Sequence, residues 1–290
     1  MPELWTKEKE IEFFRQALEN FAEPEQLFYI ADNGKYYAYW PKSYKGKKST
    51  LQSRNALIGN FTEKYSVDLL HNFAKSHNLH AVQGVICKEI GLTPQSPSDV
   101  AICKVKRREQ KAEDIVAIFE VKMSIVWNWE YRDGKLICIG DYKTHQGNPG
   151  LLRSDSMLKA IGKSINIRVS GYKASQIPII ILGNTPITES YFKKVDHLKK
   201  AGIIQGFWST NPEPLDNNGE NIKSTKHKGF IRFDSIQELY KSLDELLCKE
   251  MEFFSSMKSK NELGQIIEIA NREATYEQKA EKFLKLIRDK

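Results

Sequence analysis

The chain has 290 residues, of which 40% are hydrophobic and 28% are charged, and its formal net charge is +7. This composition is typical of a globular protein and excludes wholesale disorder. The most apolar run, residues 177–182, is far shorter than the roughly 20 residues that a membrane span requires. The four cysteines form no C-x-x-C pair. We therefore expect a cytoplasmic protein without a disulfide framework or a zinc knuckle.

The positive charge is concentrated in two windows of the sequence. Residues 33–62 contain six basic residues and no acidic one, and residues 142–188 contain six basic residues and one acidic one. The rest of the chain is therefore mildly acidic. Two basic surfaces on an acidic body suit a polyanion such as nucleic acid. A solvated, lysine-rich surface would show the same pattern.

The first 59 residues predict a helix, a hairpin and a basic loop. Apolar residues recur at helical spacing over residues 7–21. Two aromatic segments, residues 27–30 and 35–40, flank an Asn33-Gly34 turn, which is typical of a two-residue hairpin. Residues 41–54 follow as a loop rich in lysine, serine and glycine.

Residues 60–210 predict a mixed core of helices and strands. The fold class is therefore α/β (α+β), with a central mixed sheet flanked by helices. The predicted helices are residues 60–76, 153–169 and 187–201, and the predicted strands are residues 79–90, 99–104, 115–123, 136–142, 177–182 and 203–208.

Residues 211–290 predict a helical C-terminal region. Residues 211–228 have the composition of an irregular loop, an amphipathic helix follows over about residues 235–259, and a last helix covers roughly residues 262–288. We expect the three regions, residues 1–59, 60–210 and 211–290, to form one compact unit.

Three charged residues are set into strands that otherwise favour burial. Asp99 opens one apolar strand, and Glu120 and Lys122 follow five apolar residues of the next. Side chains alternate along a strand, so Glu120 and Lys122 project from the same face. If Asp99 lies on the neighbouring strand, the three groups converge. Because burying an unpaired charge is costly, such groups pair or bind a metal.

Two carboxylates beside an ammonium group suit metal-assisted hydrolysis of a phosphodiester. Carboxylates are ligands that Mg²⁺ and Mn²⁺ accept, and these ions also bind substrate phosphate. The metal would polarise the phosphate and acidify a bound water. The lysine can orient or help deprotonate that water, or offset charge in the transition state. The competing interpretation is a cross-strand ion pair on a half-exposed strand.

This arrangement resembles the PD-(D/E)XK nuclease superfamily, and type II restriction endonucleases in particular. The resemblance rests on Asp99 and on Glu120-x-Lys122 in consecutive strands after a helix, and it covers residues 60–183. It implies a restriction-endonuclease-like core in which Asp99 and Glu120 bind the metal and Lys122 positions the attacking water. The sequence departs from the motif at Ser98, because the proline stands one position earlier, at Pro97.

Glu63 is a further candidate catalytic residue. It shares a helical stripe with Val67, Leu70 and Ala74, so it should face the core. Nucleases of this resemblance often carry a glutamate on the preceding helix, near the metals. The competing interpretation is a capping box that starts at Asn60, in which Glu63 satisfies a backbone amide.

DNA contacts are expected from basic and polar side chains. Lysine and arginine bind phosphates, whereas arginine, asparagine and glutamine read base edges. His145 is interpreted as a polar contact or surface histidine and not as a general base, because no serine or cysteine nucleophile signature lies nearby. The predicted DNA-binding residues are Lys45, Lys47, Lys48, Arg54, Asn128, His145, Gln146, Asn148, Arg153, Lys159, Lys163, Arg168 and Lys173. For Arg153, Lys159 and Lys163 the alternative is that they balance the carboxylate cluster.

The sequence thus predicts an Mg²⁺-dependent endonuclease of double-stranded DNA, of the type II restriction kind, in which Mn²⁺ can replace Mg²⁺. We expect a homodimer, because enzymes that cut both strands of a palindrome commonly share the two-fold symmetry of their site. Two alternatives stay open. One is a nuclease of DNA repair, recombination or RNA processing, and the other is a non-catalytic DNA-binding protein with a degenerate nuclease fold.

Overall fold

A computed structural model describes residues 3–49, 51, 54–213, 222–247 and 260–288. The chain forms two compact units, Met1–Met251 and Glu252–Lys290. The fold is mixed α/β, as the sequence predicts, with a six-stranded mixed sheet at its centre. The boundaries predicted at residues 59 and 210 stay predictions.

The described residues contain eight α-helices and ten strands. The helices are α1 (Lys7–Asn20), α2 (Pro24–Leu27), α3 (Arg54–Ser76), α4 (Ser154–Val169), α5 (Phe192–Lys200), α6 (Ile236–Leu247), α7 (Lys260–Ala270) and α8 (Tyr276–Arg288). The strands are β1 (Tyr29–Ile30), β2 (Tyr36–Tyr37), β3 (His80–Val85), β4 (Ser98–Cys103), β5 (Ile115–Val121), β6 (Asn128–Arg132), β7 (Lys135–Gly140), β8 (Ile179–Gly183), β9 (Gly206–Ser209) and β10 (Phe230–Arg232).

The central sheet has the strand order β10-β9-β8-β5-β4-β3. Strand β4 is antiparallel to both of its neighbours, β3 and β5. Strands β5, β8, β9 and β10 are parallel to one another. Parallel neighbours need a long crossover, and between β5 and β8 this crossover contains α4. The sheet therefore changes from antiparallel to parallel pairing at β5.

Both faces of the central sheet are covered. Val100 and Phe119 lie in a core that includes residues of α3, whereas Ala101 and Ile118 lie in a core that includes residues of α4. Strands buried on two faces are apolar almost throughout, which explains the continuous apolar runs in β5 and β8. A charged residue in such a strand needs a specific reason.

The other sheet is antiparallel, with the order β1-β2-β6-β7. The predicted hairpin is confirmed: Gly34 adopts a φ of 77° and the Ala31 amide donates to the Lys35 carbonyl at 2.8 Å. Strand β6 lies in a segment for which the sequence analysis predicts no strand. It pairs with both β2 and β7, and Trp129 on it is buried.

Several predicted helix boundaries were wrong. Helix α3 begins at Arg54, inside the predicted basic loop, where Arg54 and Ile58 are buried. The last predicted helix is divided into α7 and α8, because Thr275 and Gln278 form a reciprocal capping box that starts a new helix. The predicted helical residues 248–259 lie outside the described part of the chain. Across the described ranges, no helix has both the length and the hydrophobicity to cross a bilayer.

Glu10 on α1 is fully buried and ties this helix to the chain that follows β5. Its Oε1 accepts hydrogen bonds from Trp5 Nε1 and the Val126 amide, and its Oε2 accepts hydrogen bonds from the Trp127 amide and Trp129 Nε1. Burial raises the pKa of Glu10 to about 7, although these bonds act against the shift. Four donors converge on one carboxylate, so the site requires a group that only accepts.

We expect Glu10→Gln to lower the free energy of unfolding by about 1–3 kcal/mol, because an amide NH₂ would face N–H donors. Chemical denaturation at about pH 8, where the carboxylate is ionised, measures the effect. Glu19→Gln, at an exposed position of the same helix, is the matched control. It should change stability by less than about 0.5 kcal/mol, and an equal loss in both variants would contradict the prediction.

Candidate active site

Asp99, Glu120 and Lys122 lie at one end of the central sheet. Asp99 is the second residue of β4, Glu120 is the last but one of β5, and Lys122 follows β5 directly. Val100 pairs with Phe119 across the two strands. Because the ladder is antiparallel, the next pair along it is Asp99 with Glu120. The strand register therefore sets the two carboxylates side by side.

The Lys122 ammonium group binds both carboxylates. Its Nζ lies 3.2 Å from Asp99 Oδ2 and 3.5 Å from Glu120 Oε2. It also donates to the Val121 carbonyl at 3.1 Å. Asp99 Oδ2 accepts a further hydrogen bond from the Val121 amide at 2.7 Å. The structure thus brings together the three residues that carry the resemblance.

Lys163 reaches the same carboxylates from α4. Its Nζ lies 2.7 Å from Glu120 Oε1 and 3.4 Å from Asp99 Oδ1. It also donates to the Pro97 carbonyl at 2.6 Å. The sequence left two roles open for Lys163, contact with phosphate or compensation of the carboxylates, and the structure places it in the carboxylate cluster. The sequence signal was weak, because a lysine on a predicted helix gives no distance to a strand.

Burial and charge act in opposite directions on this cluster. Burial would raise the pKa of Asp99, but Lys122 and Lys163 outweigh it and lower that pKa below its ordinary value. Burial and the nearby Asp99 charge raise the pKa of Glu120 to about 7. Burial would lower the pKa of Lys122, but the carboxylates reverse this and raise it. Lys122 is therefore an ammonium group at neutral pH.

Glu63 lies at the edge of the cluster on α3. Its Oε2 accepts a hydrogen bond from Gln83 Nε2 on β3 at 2.9 Å. Burial raises the pKa of Glu63, and the charge of Asp99 adds to this increase. The capping-box interpretation is wrong, because α3 begins at Arg54 and Glu63 lies well inside the helix.

Two arginines predicted to bind DNA are instead bound within the fold. Arg54 is buried, donates to the Leu27 and Ala38 carbonyls and lies over the Tyr29 ring. Arg168 on α4 donates to the Ile177 carbonyl at 2.7 Å and to other acceptors of the neighbouring chain. Their guanidinium groups satisfy backbone carbonyls, so in this structure they are not available to phosphate.

Asn128 and His145, predicted to contact DNA, are also buried. Asn128 Oδ1 accepts a hydrogen bond from the Tyr39 amide at 3.0 Å, and the His145 ring stacks on the Tyr39 ring at 3.9 Å between centroids. Burial lowers the pKa of His145 to about 4. Gln146 Nε2 donates to the Pro41 carbonyl at 3.0 Å. The loop after β7 folds back on the hairpin and does not project outward with these side chains.

The other predicted DNA contacts are exposed. Asp155 lies 3.4 Å from Arg153 and 3.1 Å from Lys159, and Lys173 pairs with Glu89. Surface pairs of this kind are weak, so the cations stay accessible to phosphate. The exposed candidates are Lys45, Lys47, Lys48, Asn148, Arg153, Lys159 and Lys173.

Sequence reasoning missed a third basic segment, residues 104–111, called the basic arm below. It contains five basic residues and one acidic residue, and all six are exposed. The arm connects β4 to β5 by running past the end of β3, where the Ile86 amide donates to the Arg108 carbonyl at 3.0 Å. A charge count over this segment would have found it.

The donor set at the cluster is suited to a divalent cation. Glu120 has no side-chain exposure, and its Oε1 lies 2.7 Å from Lys163 Nζ. In the described ranges, no three histidine, cysteine, aspartate or glutamate side chains are placed to hold a metal. Of the side chains at the cluster, Asp99 and Glu120 are the ones that would bind Mg²⁺, an ion that keeps several water ligands.

Comparison of the chain with models of known protein families, with curated proteins and with solved structures found no match. The function is therefore inferred from the residues of the site and their geometry.

We expect the metal-free protein to lose stability as the pH rises from about 5 to about 8. Between the ordinary value of 4.5 and the raised pKa of about 7, folded Glu120 keeps a proton that the unfolded chain has lost. Stability then falls by up to about 1.4 kcal/mol per pH unit for each such group. The raised pKa of Glu10 has an effect of the same sign. The lowered pKa of His145, about 4, has the opposite effect up to about pH 6.5 and offsets part of this loss.

Of the two glutamates, the variant Glu120→Gln removes one titrating group and leaves Glu10, so its stability should depend less steeply on pH. Chemical denaturation in EDTA across this pH range measures both profiles. Parallel profiles for the variant and the wild type would show that Glu120 does not titrate here.

Proposed function

We propose that this chain is an Mg²⁺-dependent endonuclease that hydrolyses double-stranded DNA, of the type II restriction kind. The observation that carries the proposal is the convergence of Asp99, Glu120 and Lys122 at the end of β4 and β5. A buried pair of carboxylates costs stability unless cations and ligands satisfy it. Such a cluster is therefore typical of a site and not of a structural core.

The order of elements supports the proposal. Helix α3, strands β3, β4 and β5, helix α4 and strand β8 follow one another around the central sheet, with β6 and β7 inserted before α4. This is the order of helix, strands, helix and strand that the resemblance implies. We infer that the core belongs to the restriction-endonuclease-like fold.

The chemistry proposed is attack by a water oxygen on phosphorus, with cleavage of the bond to the leaving ester oxygen, which takes up a proton. Asp99 and Glu120 would hold Mg²⁺, which polarises the phosphate and acidifies bound water. The Lys122 ammonium donates to the attacking water or to a phosphate oxygen and offsets the negative charge that develops there. Glu63, next to the cluster, supplies a further acceptor that orients water.

The basic arm supports a polyanionic substrate. The register of β3 on β4 pairs Gln83 with Val100 and Val85 with Ser98, which sets Gly84 beside Asp99. Arg108 of the arm donates from Nε to the Gly84 carbonyl at 2.7 Å. The arm therefore reaches the strand next to the catalytic aspartate, where a phosphate backbone entering the site would pass.

Sequence specificity and dimerisation are part of the proposal and follow from the resemblance. A nuclease of DNA repair, recombination or RNA processing would use the same cluster on a different substrate. A non-catalytic DNA-binding protein is disfavoured, because Asp99, Glu120 and Lys122 are all present and in contact.

We expect plasmid DNA incubated with Mg²⁺ and the wild-type protein to give discrete fragments. Lys122→Ala and Asp99→Ala should lower the cleavage rate by at least about 100-fold, because each removes a group that acts on the transition state or its metal. Lys135→Ala, at an exposed position of β7, is the control and should cleave normally. Smearing would indicate a nonspecific nuclease, and undiminished cutting by both site variants would refute the site.

We also expect the basic arm to determine part of the salt dependence of DNA binding. Removing one lysine–phosphate contact reduces the slope of log K against log [salt] by about 0.9. Lys104→Ala combined with Lys106→Ala should therefore reduce it by up to about 1.8. Fluorescence anisotropy with catalytically inactive Asp99→Ala protein measures the slope, with Lys135→Ala as the control. An unchanged slope would show that DNA does not lie along the arm.

A further inference from the structure

Two ammonium groups flank the same pair of carboxylates. Lys122 contacts Asp99 Oδ2 and Glu120 Oε2, whereas Lys163 contacts Asp99 Oδ1 and Glu120 Oε1. Each lysine thus lies near one oxygen of each carboxylate. A divalent cation held by both carboxylates would replace their contacts with one ammonium group, so the cluster offers two cation positions.

Lys163 is the more firmly held of the two lysines. Its contact with Glu120 is 2.7 Å, compared with 3.5 Å for Lys122. It also donates to the Pro97 carbonyl, which lies on the segment entering β4. Its helix is anchored on both sides of it by the buried residues Ala160 and Ser164. Helix α4 therefore presents this ammonium group from a fixed position.

The charge count argues against two metal ions. Asp99 and Glu120 together can supply a charge of −2, which the two lysines balance. A second divalent ion would leave a large uncompensated positive charge.

We propose that Lys163 is a resident cation of this site, which occupies one of the two cation positions so that the cluster binds a single divalent ion. This inference rests on the proposed function for its chemistry but concerns the number of metal ions. Lys163 acts through Asp99 and Glu120, so it is a positioning residue. The buried Glu120 Oε1, which lies 2.7 Å from Lys163 Nζ, is the ligand atom that the charge of Lys163 holds in place.

The test is a titration of the full-length, DNA-free protein with Mn²⁺ at about pH 8, with bound ions counted by electron paramagnetic resonance. The wild type should bind one Mn²⁺ per chain. Lys163→Met, which keeps the length and removes the charge, should bind two. Lys163→Arg should return the count to one. Lys159→Met is the matched control, because Lys159 is exposed one turn earlier on the same helix, and it should bind one.

Two bound ions in the wild type, or a single ion in folded Lys163→Met, would overturn the inference. The wild-type count decides the matter even if the methionine variant fails to fold. No bound Mn²⁺ in the wild type would overturn it as well.

The outcome is separate from that of the cleavage assay. Two bound ions together with Lys122-dependent cleavage would refute the resident cation and leave the nuclease intact. One bound ion without any cleavage of DNA would refute the nuclease and leave the single-ion site intact.

Discussion

The structure of the site depends on the burial of two like charges side by side. Asp99 and Glu120 are neighbours in the β4–β5 ladder, and both faces of that sheet are covered by helices. Two carboxylates in such a place repel each other and lose their hydration. Lys122 and Lys163 compensate for both effects, one from the strand and one from α4. The positions of β4, β5 and α4 are therefore linked through four charged side chains.

The same arrangement explains why Asp99 and Glu120 differ although they are adjacent. Both carboxylates contact both ammonium groups, but Asp99 is partly exposed and also accepts a backbone hydrogen bond, so its ionised form is favoured. Glu120 is fully buried beside that charge, so its protonated form is favoured up to about pH 7. A cation that enters the cluster would change this balance most strongly at Glu120. Under the proposed function, metal binding would therefore be coupled to the protonation state of Glu120.

Much of the core could be predicted from the sequence, because the apolar runs of β5 and β8 and the Asn33-Gly34 turn are local signals. The pairing of Asp99 with Glu120 could be anticipated from strand alternation. Whether Lys163 contacts phosphate or the carboxylates could not be decided from the sequence, since this depends on how α4 crosses the sheet. The burial of Arg54 and His145 was missed because a polar side chain in a loop is expected to be exposed, whereas tertiary contacts with backbone carbonyls and rings decided otherwise.

The hydrogen bonds of Glu10 connect helix α1 directly to the segment that follows β5 and Lys122. Val126 and Trp127 follow Lys122 by only a few residues, and their amides are satisfied by a carboxylate more than a hundred positions earlier in the chain. Removing α1 would leave these amides without an acceptor inside an apolar core. Helix α1 thus supports the segment that follows Lys122, and a fragment that begins at residue 60 would lack this support.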